Sequence, residues 1–260
     1  MKITVLGNCA TQTLDRETTA YLVSDGNTNI LLDCGPGIYK QFLRTGLSPL
    51  DISAVILTHC HADHTAGYPY LLFSISCSRI WATDKNFSKV PLYALQSVYD
   101  GVSKTISTQY PTEHLENIYD YVSIPDTAES TFCVGDFSLT FFKVFHTVPT
   151  VGVRFTHENK SATFSSDTVY NESIANHAMD TDILFHEAFN TEIRRQVAKS
   201  SGHTTAIEAG QIASLAHAKK LALCHPLAME LANPGELISE ARSTYSGEII
   251  LPNDLDVITV

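Results

Sequence analysis

The sequence predicts an α/β protein in which two β-sheets pack face to face and helices cover the outside. Short apolar runs separated by glycine, asparagine and aspartate turns recur in both halves of the 260-residue chain. Helical segments follow these runs in each half. Layers of this kind bury one face of each sheet against the other sheet and the opposite face beneath helices. We therefore expect a single domain over residues 1–260.

The first half of the chain contains strand-like runs rich in β-branched and aliphatic residues. They lie at residues 3–6, 20–24, 30–33 and 54–57. Turns such as Asp25-Gly26-Asn27 separate them. A helix is predicted over residues 38–45, with Gly46 at its end.

The second half repeats this pattern. Strands are predicted at residues 137–145, 151–155, 162–165, 183–185, 220–224 and 248–251. A helix over residues 204–217 has a mostly apolar face, and Thr204 or Thr205 is placed to cap its start. Another helix is predicted near residues 235–243.

The segment 82–132 does not fit the strand-and-helix pattern. It holds five tyrosines among mixed polar residues, namely Tyr93, Tyr99, Tyr110, Tyr119 and Tyr121. We expect a surface helical insertion within the domain. The alternative is a lid or dimer-contact arm that presents aromatic faces, because long irregular segments are often functional.

The composition is ordinary for a soluble globular protein, and we expect a cytoplasmic one. Apolar residues make up 44% and charged residues 17% of the chain. No apolar stretch approaches the roughly 20 residues of a membrane-spanning helix, and the N-terminal run is too short for a secretory signal. The six cysteines include no CxxC pair and are expected to be reduced and buried. Cys60 and Cys224 each precede a histidine and are possible metal contacts.

The charge balance limits the partners of this protein. Its formal net charge is −11, with only 17 Lys and Arg. Proteins that grip long nucleic acids usually present a basic face, so an extended RNA or DNA partner is not expected. A small anionic substrate remains compatible, because a bound metal ion neutralises its charge locally.

A histidine-rich motif follows the buried run at 54–57. Its sequence is His59-Cys60-His61-Ala62-Asp63-His64. On an extended chain, alternate side chains share a face, so His59 and His61 can converge on one ion. If the chain then turns into a helix, Asp63 and His64 can point to a neighbouring position. Imidazoles and carboxylates are the ligands that zinc takes in hydrolytic sites.

This motif resembles that of the metallo-β-lactamase superfamily, and the resemblance extends over nearly the whole chain. It implies a four-layer αββα sandwich. The turn Asp33-Cys34-Gly35 is similar to the family's Asp-x-Gly turn. Three further residues match family ligands by their place after predicted strands, namely His146, Asp167 and His225.

The resemblance implies two divalent metal ions. The first would be held by His59, His61 and His146. The second would be held by Asp63, His64 and His225, with Asp167 between the two ions. Zinc is expected, although a His/Asp site also accepts manganese. Two ions about 3.5–4 Å apart activate a shared water and stabilise the charge of the transition state.

Two segments indicate the phosphodiesterase branch. His186-Glu187-Ala188-Phe189 is similar to the His-Glu-Ala-Thr motif of the tRNA 3′-processing endonucleases (ribonuclease Z), and the segment around His203 resembles their Gly-His-Ser-Thr-Ala sequence. The resemblance implies that Glu187 orients His203, which donates a proton to the leaving oxygen, while Asp63 acts as ligand and base.

Departures from ribonuclease Z favour a smaller substrate. Phe189 stands in place of the motif's threonine, and no Gly/Pro- and Lys-rich segment resembles the tRNA-grasping arm. We therefore predict a phosphodiesterase acting on a small phosphodiester, most specifically a cyclic nucleotide. The alternatives are tRNA 3′ processing and, on the same scaffold, lactone or thioester hydrolysis. The resemblance also implies a homodimer.

Overall fold

The strands form two sheets in the computed structural model, which describes residues 1–110, 115, 117–126 and 129–260. The strands of the first half are β1 (Lys2–Gly7), β2 (Ala20–Ser24), β3 (Asn29–Leu32), β4 (Ala54–Leu57), β5 (Val90–Ala94) and β6 (Tyr119–Ser123). The later strands are β7 (Glu129–Val134), β8 (Phe137–Phe145), β9 (Pro149–His157), β10 (Lys160–Phe164), β11 (Ile183–Glu187), β12 (Lys220–Cys224), β13 (Glu248–Ile250) and β14 (Val257–Thr259).

Each sheet has seven strands within the described residues and mixes parallel with antiparallel pairs. The strand order of the first sheet is β14-β1-β2-β3-β4-β5-β6, and that of the second is β13-β12-β11-β10-β9-β8-β7. The strands from β3 to β6 are parallel neighbours, and so are those from β10 to β13. The remaining pairs are antiparallel.

Helices connect the strands and cover both sheets. They are α1 (Ile38–Arg44), α2 (Ala62–Thr65), α3 (Tyr68–Trp81), α4 (Gln96–Gln109), α5 (Ser173–His177), α6 (Arg195–Ser201), α7 (Ala206–Leu215) and α8 (Pro234–Arg242). A capping box starts α7, because Thr205 accepts from the backbone N–H of Glu208 and the Glu208 carboxylate accepts from that of Thr205. Among the described residues, no helix is long and apolar enough to cross a membrane.

Two hydrophobic cores define the layers. Between the sheets, Tyr21 of β2 contacts Phe164 and Phe185 of the second sheet at ring-centroid distances of 5.0 and 5.2 Å. The same core continues through the first sheet to α1, α3 and α4. A second core joins the outer face of the second sheet to α5, α7 and α8. The predicted αββα sandwich with two mixed sheets is therefore confirmed.

The segment 82–132 differs from the predicted surface helical insertion. It supplies β5, α4, β6 and most of β7, and β5 pairs directly with β4. Its tyrosines pack inward, since Tyr93 is buried and the ring of Tyr99 stacks on Tyr121 at 3.9 Å. Pro91 and the tyrosine-rich composition obscured two short parallel strands joined by a helix. Residues 111–114, 116 and 127–128 lie outside the described residues.

Candidate metal centre

The polar residues of the motifs gather where strands of both sheets end. His59 lies two residues after β4, and His146 and His225 directly follow β8 and β12. Asp167 lies three residues after β10, and Glu187 is the last residue of β11. Because the carboxyl ends of parallel strands meet at one edge of a sheet, residues far apart in sequence converge there.

The structure brings the predicted ligands into two donor clusters. In each cluster, one donor atom from every residue lies within 4.8 Å of all the others. The first cluster consists of His59, His61, His146 and Asp167, and the second of Asp63, His64, Asp167 and His225. Asp167 is the residue that they share.

A single oxygen of Asp167 lies at the junction of the clusters. Its Oδ2 atom is 3.5 Å from His59 Nε2 and 3.9 Å from His146 Nε2 in the first cluster. The same atom is 3.4 Å from His64 Nε2 and 3.2 Å from His225 Nε2 in the second. One buried carboxylate thus faces four imidazoles, which is the arrangement that a bridging ligand requires.

The donor atoms fit metal ions better than they fit one another. The buried Nε2 atoms of His59 and His64 have no hydrogen-bond partner among the described residues. Buried polar nitrogens are normally hydrogen-bonded. The two unpaired Nε2 atoms therefore fit an electron-pair acceptor such as a metal ion. His146 Nε2 and His61 Nδ1 are 3.1 Å apart. Two ligands of one tetrahedral zinc, each bonded at about 2.0–2.1 Å, are similarly spaced.

The Nδ1 atoms on the opposite side of most of these imidazoles have partners of their own. His64 Nδ1 donates to Asp33 Oδ2 at 2.8 Å, and His146 Nδ1 donates to the Gly202 carbonyl at 2.8 Å. Thr19 Oγ1 pairs with His225 Nδ1 at 2.8 Å. Such contacts fix the tautomer and orientation of metal-binding histidines and leave Nε2 as the ligand atom.

The buried environment sets the protonation states of three residues of the clusters. Burial lowers the pKa of His59 well below its ordinary range, and it lowers the pKa of His225 to about 3. Both imidazoles are therefore neutral at pH 7, the form that binds metal. Burial opposes ionisation of Asp167, but His225 and His64 outweigh it and hold the pKa of Asp167 well below its ordinary range.

Glu187 and His203 form a buried pair beside the clusters. Nδ1 of His203 lies 3.0 Å from Glu187 Oε1, and the backbone N–H groups of Thr168 and Thr204 also donate to this carboxylate. Burial opposes the charge of His203, but the Glu187 carboxylate outweighs it and raises the pKa of His203 to about 9. Donor atoms of the pair and of Asp167 lie within 4.8 Å of one another.

Left-handed backbone marks three positions at the centre. Asp33, Ser166 and His225 have φ values of 60°, 56° and 55°. Non-glycine residues rarely adopt this conformation, and where they do the strain often accompanies a functional site. Here it directs the Asp33 carboxylate, the chain before Asp167 and the His225 imidazole toward the clusters.

Some residues of the centre carried no clear signal in the sequence. Thr19 and Thr58 are ordinary threonines, yet Thr58 donates to Asp33 at 2.9 Å and Thr19 holds His225. Only the Asp-x-Gly turn pointed to Asp33. The cysteines next to the ligands do not join them: Cys60 is exposed, and the Cys224 thiol donates to the Ala222 carbonyl.

The fold and the donor clusters define a metal-dependent hydrolase of the metallo-β-lactamase fold. The sequence profile of a family described as anti-Pycsar protein Apyc1 matches residues 1–225. The chain therefore belongs to this family.

Other similar proteins match along nearly their whole length. The probable metallo-hydrolase YhfI of Bacillus subtilis is 29% identical over 253 residues, covering 96% of each chain. The YhfI crystal structure has a TM-score of 0.86 at 25% identity, covering 99% of this chain and 98% of YhfI. A ribonuclease Z of Haloarcula marismortui is 24% identical over 305 residues, covering 98% of this chain and 95% of that protein.

The fold also recurs in the short form of human tRNase Z. That structure has a TM-score of 0.80 at 23% identity, covering 100% of this chain and 99% of the human one. The predicted membership of the metallo-β-lactamase superfamily and of its ribonuclease Z-like branch is confirmed by these matches.

Proposed function

We propose that this protein hydrolyses a small phosphodiester, specifically a cyclic nucleotide. The position of the Glu187–His203 pair beside the shared carboxylate of Asp167 carries this proposal. Cleavage of an alkyl phosphodiester needs stabilisation of charge on the phosphate and a proton for the departing alkoxide. The donor clusters would meet the first requirement and the Glu187–His203 pair the second.

The donor clusters would hold two divalent ions, with zinc proposed and manganese as the alternative. His59, His61 and His146 would bind one ion, and Asp63, His64 and His225 the other, with Asp167 contacting both. When bound, such ions lower the pKa of water toward about 7 and withdraw charge from the phosphate.

The side chains themselves would handle the protons. Asp63 is the more accessible carboxylate of the clusters, with 28% of its side chain exposed, and would accept a proton from the attacking water. His203 is held at Nδ1 by Glu187, so its Nε2 would donate a proton to the leaving oxygen. The Glu187 carboxylate keeps the imidazole charged for this step.

Charge and family membership support a small substrate. The net charge of −11 with 17 Lys and Arg is unfavourable for gripping a long nucleic acid. Membership of the anti-Pycsar Apyc1 family fits hydrolysis of a cyclic nucleotide. The competing candidate is tRNA 3′ processing, which is favoured by the end-to-end similarity to proteins named ribonuclease Z.

A substrate panel distinguishes these functions. Metal-loaded protein is tested on several 3′,5′- and 2′,3′-cyclic nucleotides, a precursor tRNA, a lactone and a thioester. We expect turnover of a cyclic nucleotide, an inert tRNA, and a loss of about 10²–10⁴-fold in kcat for His203→Asn. His217→Asn is the matched control, because His217 is exposed and lies outside the clusters.

Cleavage of the tRNA alone would establish the competing candidate. Lactone or thioester turnover that survives His203→Asn would exclude both.

We also propose a homodimer formed through α3. This helix exposes Tyr70, Phe73, Ile80 and Trp81, with exposed fractions between 41% and 86%. Exposed apolar surface of this kind is typical of an interaction site. The sequence of α3 contains one charged residue, Arg79. Two copies of a chain with net charge −11 repel each other least through such a face.

A further inference from the structure

The side chain of Phe189 lies flat against the imidazole of His203. The two ring centroids are 4.0 Å apart, and the ring planes differ by 6°. Both backbone polar groups of Phe189 are hydrogen-bonded. Its N–H donates to the Thr204 carbonyl at 3.0 Å, and its carbonyl accepts from the Leu227 N–H at 2.8 Å. The backbone that carries the phenyl ring is thus anchored next to the proposed proton donor.

The other contacts of His203 restrict its ring plane less closely. The imidazole turns about its Cβ–Cγ bond, and the hydrogen bond between Nδ1 and Glu187 restrains this rotation at only one edge of the ring. His146 approaches at a centroid distance of 4.8 Å with the planes tilted by 54°, and His225 lies 5.4 Å away. Phe189 makes the closest and most parallel of these ring contacts. A parallel face at 4.0 Å blocks the rotation and so sets the direction in which Nε2 points.

We propose that Phe189 is a positioning residue that fixes the plane of His203 so that Nε2 faces the leaving oxygen of the substrate. This inference rests on the proposed phosphodiesterase function. In the assisted step, a water molecule supplies the oxygen that newly bonds to phosphorus, and its proton passes to Asp63. The bond from phosphorus to the leaving oxygen breaks with its electron pair on that oxygen, and the proton from Nε2 neutralises it.

The aromatic character of residue 189 matters for this role. Aromatic rings pack in stacked pairs, and this contact holds the imidazole parallel to the phenyl face. Leucine fills a similar volume but lacks this face. Threonine, the residue at this place in the resembling His-Glu-Ala-Thr motif, is too small to cover the imidazole. Tyrosine preserves the stacking surface.

A pair of substrates with different leaving groups tests the proposal. Bis(p-nitrophenyl) phosphate releases an aryloxide that needs no proton, whereas a cyclic nucleotide, or the alkyl phosphodiester that the wild type hydrolyses best, releases an alkoxide. We expect Phe189→Leu and Phe189→Thr to lower kcat for the alkyl substrate by about 10–100-fold. The KM for the alkyl substrate and the kcat for the aryl substrate should each change by about twofold at most. Phe189→Tyr should restore the alkyl rate.

Two outcomes would overturn the proposal. Equal losses on both substrates would indicate a structural role, and unchanged alkyl turnover in Phe189→Leu would exclude positioning. An NMR spectrum of the imidazole groups of the metal-loaded protein gives a second readout. We expect the Nδ1–H signal of His203, assigned with His203→Asn, to broaden or vanish in Phe189→Leu and to persist in Phe189→Tyr. If the wild type turns over neither substrate, the proposed function fails, and this spectrum alone decides whether Phe189 orders His203.

Discussion

The Nδ1 atom of His146 donates a hydrogen bond of 2.8 Å to the carbonyl oxygen of Gly202. This contact joins the first donor cluster to the chain that carries His203, the next residue in sequence. A change in the backbone at Gly202 therefore affects the proposed metal ligand His146 and the proposed proton donor His203 together.

Gly202→Ala should disturb the contact between His146 and the Gly202 backbone. A Cβ atom there would lie 2.7 Å from His146 Nδ1, and φ at this position is +85°. Gly46 has the same φ of +85° with nothing within 4 Å of its Cβ position, so Gly46→Ala is the matched control. Both changes cost about 1–2 kcal/mol of backbone strain, because φ is left-handed at each position. We expect only Gly202→Ala to lower the bound metal, measured by mass spectrometry of gel-filtered protein. Equal metal content in both variants would contradict this expectation.

Thr19→Val should weaken metal binding without touching a ligand. The change removes the hydroxyl that pairs with His225 Nδ1, and loss of such an orienting contact typically costs about 10–100-fold in metal affinity. Thr18→Val is the control, because the Thr18 hydroxyl is buried but has no hydrogen-bond partner among the described residues. Zinc affinity is measured by competition with a chromophoric chelator. An unchanged affinity in Thr19→Val would show that His225 is oriented by other contacts.

His186 should make the free energy of unfolding depend on pH. Burial lowers the pKa of His186 to about 4, while its Nδ1 donates to the Glu187 carbonyl. In the unfolded chain the His186 imidazole takes up a proton near its ordinary pKa of about 6.5. The free energy of unfolding is therefore highest above that pH and falls as the pH drops toward 4. Between pH 7 and pH 5, His186 alone lowers the free energy of unfolding by about 2 kcal/mol.

His186→Asn removes that titration and keeps an amide donor for the Glu187 carbonyl. Urea unfolding of metal-free wild type and variant at pH 7 and pH 5 isolates the effect, because the other histidines titrate alike in both proteins. We expect the wild type to lose about 2 kcal/mol more than the variant over this range. Parallel losses would mean that His186 is not held neutral in the folded protein.

Ile80→Glu should separate the proposed dimer. It places a charge on the exposed apolar face of α3, where a second copy would bury it. Ile193→Glu is the matched control, since Ile193 is 87% exposed and lies outside α3. Sedimentation equilibrium at micromolar concentration is expected to give dimers for the wild type and the control, and monomers for Ile80→Glu. A monomeric wild type would disprove the dimer.

Local sequence patterns were sufficient for much of the fold. The run at 54–57 and the motif from His59 to His64 are contiguous, so a strand followed by a short helix was predictable from periodicity and ligand spacing. His146 and His225 were predicted as ligands from the resemblance to the superfamily, and each directly follows a strand.

Features that depend on tertiary contacts were not predictable in this way. The pairing of β5 with β4 and β6 is decided by neighbours in the sheet, and Pro91 within β5 is a poor strand signal. Thr19 reaches His225 across 206 positions of sequence. The stacking of Phe189 on His203 likewise depends on how the loop after β11 folds back toward the start of α7.

We propose that the two donor clusters, which share Asp167, would hold two metal ions and that the loaded protein hydrolyses a small phosphodiester. The most direct test titrates metal-free protein with zinc while recording bound metal and hydrolysis of a 3′,5′-cyclic nucleotide. We expect two equivalents to bind, activity to rise with the second, and Asp167→Asn to lose both effects. Full activity at one equivalent, or no cyclic-nucleotide hydrolysis at two, would contradict the proposal.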